Sequence, residues 1–146
     1  ASDGYKRQAG VRLGYCLCSD TELLARMRAA GQPWAVSSLA QAAGIAALDE
    51  TEYVAKVRAL IEAQRPVLAD GLRALGLRVI EGRANYLLFR APEALGEALR
   101  RKGAVLRSCG NYPGLDASWY RTAVRTENEN RQLLALLAET LPEVAQ

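Results

Sequence analysis

Three arginines are the residues best suited to chemistry in this 146-residue chain. Arg12 stands in "AGVRLGY", with Gly10 two residues before it allowing close backbone approach. A guanidinium emerging from such a turn is always charged and fork-shaped, which suits a phosphate. Arg107 and Arg121 stand in "GAVLRSCGNYPGLDASWYRTAVR" (103–125), each in a short extended run, with a loop of turn formers between them. If the two runs are neighbours, both side chains point into one crevice rimmed by "CGNYPGL". Such a pair could grip a carboxylate or a phosphate bidentately. The competing reading is solvated charge paired with nearby Glu or Asp at strand ends. Arg125, four residues after Arg121, is expected to share its face.

Other chemistries are thinly supplied. The chain has no histidine, which removes Ser-His and Cys-His nucleophile systems and most zinc sites. Cys16, Cys18 and Cys109 read as reduced, partly buried thiols rather than metal ligands. Lys6 is the only lysine near Arg12, and no pair of carboxylates has a helical spacing suited to acid–base work. No catalytic residue and no metal site is therefore assigned. With 19 basic and 16 acidic residues the net charge is +3, too small and too dispersed to argue for nucleic acid. No apolar run is long enough to span a bilayer. A reducing, cytoplasmic compartment is expected.

Positioning these residues requires an alternation of short elements. "VRLGYCLC" (11–18) predicts a short buried strand with Cys16 and Cys18 on one side. Ser19 or Asp20 is expected to cap a helix through about Ala30, and 36–48 predicts a second, small-residue helix. Asp49 is then expected to cap a long helix over about 51–75. Its apolar stripe is Val54, Val57, Ile61, Leu68, Leu72 and Leu75, Pro66 should kink or split it, and Gly76 ends it. "LRVIEG" and "ANYLLFR" predict strands, "APEALGEALRRKG" a helix with proline in its first turn, and "AVLRS" and "WYRTAVR" strands. Thr126 and Glu129 form a capping box for a last helix to about Leu141. The order suggests a small sheet covered by helices on one face, an α/β sandwich. A junction falls near residue 50. The first 50 residues hold one strand, which cannot form a sheet by itself and needs partners from elsewhere.

The order of segments resembles the C-terminal part of fold-type I pyridoxal-phosphate enzymes, the class I/II aminotransferase superfamily. "AGVRLGY" is similar to the Gly-x-Arg-x-Gly strand that follows the active-site lysine there. "PWAVSSLAQAAGIAAL" and "ANYLLFR" look like segments of the histidinol-phosphate aminotransferase branch. "GAVLRSCGNYPGL" with "WYRTAVRTENENRQLL" is most similar to the threonine-phosphate decarboxylases of that branch. The resemblance implies an α/β fold in which residues 1–50 end the cofactor-binding large domain and 51–146 form the small C-terminal domain. It implies pyridoxal 5'-phosphate as cofactor in the complete enzyme, with Arg12 on its phosphate. It further implies Arg121 on the substrate α-carboxylate, Arg107 on another anionic group, and Asn85 lining the same region. The family spacing puts the cofactor lysine eight residues before Arg12, at Gly4, so the chain alone is expected to be inactive.

The implied function is that of a C-terminal fragment of an enzyme acting on a small amino-acid phosphate, through threonine-phosphate decarboxylation in cobalamin biosynthesis. A histidinol-phosphate-type aminotransferase is the first alternative. A binding or interaction module that keeps the fold without catalysis is the second. The family implies a homodimer for the full-length protein.

Overall fold

The computed structural model describes residues 13–33 and 35–144. They fall into two compact units, one ending at Ala55 and one beginning at Lys56. In the first, helix α1 (Thr21–Ala30) starts where sequence chemistry places it: the Asp20 carboxylate accepts from the Leu23 N–H at 2.9 Å. Helix α2 (Ser38–Asp49) is capped the same way, the Ser37 hydroxyl accepting from the Ala40 N–H at 3.2 Å. Leu13 lies against Gly44 of α2 so closely that a side chain there would clash.

Several expectations for this region are corrected. Residues 13–18 form no strand, and Cys16 and Cys18 are exposed rather than partly buried. The physical reason was already legible: an extended segment without a partner leaves its N–H and C=O groups to water and has no sheet to join. Asp49 closes α2 instead of capping the next helix; it is the Glu50 carbonyl that accepts from the Val54 N–H. Val11 and Arg12 lie outside the described residues.

The second unit holds the core. Helix α3 (Thr51–Ala74) runs through Pro66 without splitting. It ends at Gly76, whose φ of 78° is the left-handed conformation that closes helices. Strands β1 (Arg78–Ile80) and β2 (Tyr86–Arg90) follow, then α4 (Leu95–Arg101), β3 (Arg107–Ser108), β4 (Trp119–Ala123) and α5 (Glu127–Val144). Pro92 stands in the turn before α4 rather than in its first turn, its carbonyl accepting from the Leu95 N–H. The expected run "AVLRS" contributes two strand residues only, while α5 continues past Pro142 to Val144. The Thr126–Glu129 capping box forms, with the Thr126 N–H donating to the Glu129 carboxylate at 3.2 Å.

The four strands make one antiparallel sheet in the order β1-β2-β4-β3. Alternation along β2 and β4 sets its two faces. Leu87 and Phe89 pair with Thr122 and Tyr120, and all four are buried. This face packs with Leu68 and Leu72 of α3, Leu95 and Leu99 of α4 and Leu137 of α5 in one apolar cluster. Tyr120 stacks on Phe89 with ring centroids 6.0 Å apart, and its hydroxyl donates to the Glu93 carbonyl at 2.6 Å. The aromatic pair therefore joins sheet and α4 without orphaning a polar group.

Candidate functional site

The other face of the same sheet is where the arginines are. Arg107 and Arg121 are register partners on the adjacent antiparallel strands β3 and β4. Residues directly opposite in an antiparallel pair project from the same face, their Cβ atoms about 5 Å apart. The row continues through Leu88 and Ile80, so it reads Ile80, Leu88, Arg121, Arg107 across the four strands. Local sequence explains the alignment. The loop between the strands closes through its own backbone, with Cys109 N–H donating to the Trp119 carbonyl at 2.8 Å and Leu115 N–H to the Tyr112 carbonyl at 3.1 Å. Gly114 takes a φ of 84° near the hairpin tip, midway between the two arginines.

The electrostatic setting of this pair separates it from its neighbours. One row along the same face, Arg78 and Arg90 are also register partners, but Arg90 has a carboxylate beside it. Arg78 lies 5.8 Å from the Trp119 ring centre, while Arg90 donates to the Ser118 hydroxyl at 2.9 Å and stands 3.8 Å from the Asp116 carboxylate. Arg121 lies over the Tyr86 ring at 4.6 Å, as Arg78 does over Trp119. Tyr86 is the diagonal neighbour of Arg121 across the β2–β4 pair, within reach of a long side chain. The ring holds the guanidinium without neutralising it. Among the described residues neither Arg107 nor Arg121 forms an ion pair with a carboxylate. Like charges directly opposite one another cost stability, so a pair kept uncompensated is suited to an added anion.

Arg125 does not belong to this group. It lies beyond the end of β4, and its guanidinium is 2.7 Å from the Glu129 carboxylate. Asn85 stands one residue before β2. Its carbonyl accepts from the Val124 N–H at 2.9 Å, which continues the β2–β4 register and gives Asn85 the parity of the core-facing residues. Arg12 lies outside the described residues. The structure thus brings Arg107 and Arg121 together and sets Asn85 at the sheet's end. Tyr86 was missed from sequence. The signal was present in "ANYLLFR", but only the cross-strand register shows which arginine it meets.

Asp116 anchors the rim of the loop. Its carboxylate accepts from the Ser118 N–H at 2.9 Å and from the Ser118 hydroxyl. These hydrogen bonds, and secondarily the Arg90 guanidinium, hold its pKa below the ordinary aspartate value of 3.8. A depressed carboxylate pKa stabilises the fold above the unfolded value and loses that contribution as pH falls through the folded value. We expect Asp116→Asn to lower the thermal midpoint at neutral pH. The gap to wild type should close as unfolding is followed stepwise below pH 3.8. A gap unchanged in acid would show that the carboxylate charge plays no part in anchoring the loop.

Comparison with known proteins bears on the family and the fold. A family model described as aminotransferase class I and II matches residues 8–137. A threonine-phosphate decarboxylase from Salmonella typhimurium is 39% identical over 140 residues, an alignment covering 93% of this chain and 38% of that protein. A histidinol-phosphate aminotransferase from Symbiobacterium thermophilum is 38% identical over 138 residues, covering 92% of this chain and 37% of the relative. The crystal structure of the histidinol-phosphate aminotransferase from Clostridium acetobutylicum superposes with a TM-score of 0.83 at 29% identity, over 95% of this chain and 43% of that one. The chain therefore spans well under half the length of the relatives it matches.

Proposed function

The chain belongs to the aminotransferase class I and II family, and on that premise we propose that it supplies the substrate-anion grip of an enzyme acting on an amino-acid phosphate. The observation that carries the proposal is the Arg107–Arg121 cross-strand pair, uncompensated among the described residues and steadied by Tyr86. In this reading Arg121 takes the α-carboxylate and Arg107 takes a second anionic group, while Asn85, of core-facing parity, borders the region only from the end of the sheet. Arg12 takes the phosphate of the cofactor. Residues 1–50 belong to the cofactor-binding domain and 51–146 form the small domain of a cytoplasmic homodimer.

Pyridoxal phosphate is the cofactor of this family, and when bound it supplies an electron sink. The described residues do not fit its covalent attachment. Lys102 is held by Glu139 and Glu143 at 3.0 and 2.7 Å, Lys56 is exposed on α3, and Lys6 lies outside the described residues. No described amine stands on the arginine face. What the chain's own residues do is bind and orient. A bidentate guanidinium fixes the plane of a carboxylate. The placement of that clamp decides which bond at the adjacent carbon is aligned for cleavage.

The reaction proposed is decarboxylation of threonine phosphate, serving cobalamin assembly. It rests on the run "RSCGNYPGL" and on the 39% identity to the Salmonella decarboxylase. Amino transfer from histidinol phosphate is the second reading, favoured by the backbone match to the Clostridium enzyme. The enzyme containing this chain should release carbon dioxide from O-phospho-L-threonine without an amino acceptor. Glutamate formation from histidinol phosphate and 2-oxoglutarate, with no carbon dioxide, would replace the first reading by the second.

A further inference from the structure

One buried polar cluster in the second unit is not used by the anion grip itself. Asn130, in the first turns of α5, is only 3% exposed. Its side-chain oxygen accepts from the Arg125 N–H at 3.1 Å, and its side-chain amide donates to the Arg125 backbone carbonyl at 2.9 Å and to Gln64 Oε1 at 3.3 Å. Arg125 lies two residues past the end of β4, where the ladder no longer satisfies the backbone. The next residue on α3, Arg65, donates from Nε to the Ala84 carbonyl at 3.0 Å and from its terminal nitrogen to the Arg83 carbonyl at 2.9 Å. Ala84 lies two residues before β2. Between these two attachments, the Val124 N–H joins the Asn85 carbonyl.

Adjacent residues of one helix therefore hold both the chain entering β2 and the chain leaving β4. Tyr86 is two residues inside the first attachment, and Arg121 is four residues inside the second. A buried amide with three hydrogen bonds is an expensive way to fill space, since an apolar residue of similar volume would need no partners. Its geometry pays off in position: it fixes both backbone groups of a residue that no strand pairs. We propose that Asn130, with Gln64 and Arg65, is a positioning latch that sets Arg121 against Tyr86 and Arg107. This rests on the anion grip proposed above. The latch touches no ligand and acts only through the placement of Arg121.

The test is a double-mutant cycle on the full chain, read by titrating O-phospho-L-threonine against the backbone amide NMR signals of β3 and β4. Asn130→Ala should weaken affinity about tenfold, since small misplacements of a gripping group are costly. In an Arg121→Gln background the same change should matter by less than about twofold, because the group it positions is gone. Should Asn130→Ala fail to fold, Gln64→Leu, which leaves both bonds to Arg125, carries the same comparison and is expected to show the same dependence on Arg121. Unchanged affinity in Asn130→Ala or Gln64→Leu, or an equal loss with and without Arg121, overturns the latch and leaves the grip standing. Unchanged affinity in Arg121→Gln alone overturns the grip, and the latch with it.

Discussion

Arg121→Gln is expected to weaken binding of O-phospho-L-threonine by about 10- to 100-fold, and Arg107→Gln by a comparable factor. Each substitution removes a charge-assisted hydrogen-bonding fork worth about 1.5–3 kcal/mol against an anion. Neither residue has a carboxylate partner among the described residues that would be left uncompensated by the change. Arg107→Gln should slightly raise thermal stability, whereas Arg121→Gln also loses the Tyr86 contact and should leave it nearly unchanged. Two like charges face each other across β3 and β4, and relieving such a pair returns a few tenths of a kcal/mol. Weaker binding without a lower unfolding midpoint is the signature of a functional pair. Solvated surface arginines would change neither by much. Arg121→Lys separates charge from geometry. It keeps the charge but loses the planar fork, so it should recover only part of the affinity. Titration of the three variants, with thermal unfolding in parallel, checks all of these results.

The second large effect is on the fold that carries the pair. Phe89→Ala should destabilise the second unit by about 3–5 kcal/mol, the range for a deleted core aromatic. Phe89 is fully buried on β2, between β1 and β4, and its removal also loses the stack with Tyr120. Small domains have only about 5–15 kcal/mol of stability in total, so roughly a fifth of it or more is lost and the urea midpoint falls accordingly. Urea unfolding followed by tryptophan fluorescence reads it directly, because Trp119 stands at the neighbouring β4 edge of the same pairing. A midpoint unchanged from wild type would mean that the α3, α4 and α5 contacts hold the unit without this ring.

Much of this architecture was legible in the residues. Asp20, Ser37 and the Thr126–Glu129 box start helices because their side chains satisfy N–H groups that a helix leaves open. Period-two alternation in "YLLFR" and "WYRTA" identified the central strands. The segment 13–18 misled because its apolar residues look like a buried strand locally, whereas strand formation depends on a partner that no local pattern reveals. The arginine pair was half visible. Its two members flank Gly114 symmetrically, which a hairpin converts into direct opposition. What sequence could not show was the company each keeps. Arg90 looks no different in the chain, yet Asp116 and Ser118 occupy it. Tyr86 and Asn130 were invisible as site residues for the same reason: their roles come from register and from a contact spanning 66 positions between Gln64 and Asn130.

In the proposed site, two guanidiniums on neighbouring strands grip one anionic ligand together. The most direct measurement follows the side-chain Nε–H signals of Arg107 and Arg121 by NMR as O-phospho-L-threonine is added. The account predicts that both signals move with a single common dissociation constant, and that replacing either arginine by glutamine abolishes most of the response at the other. Signals that titrate with different constants, or an Arg121 response that survives intact in Arg107→Gln, would contradict it.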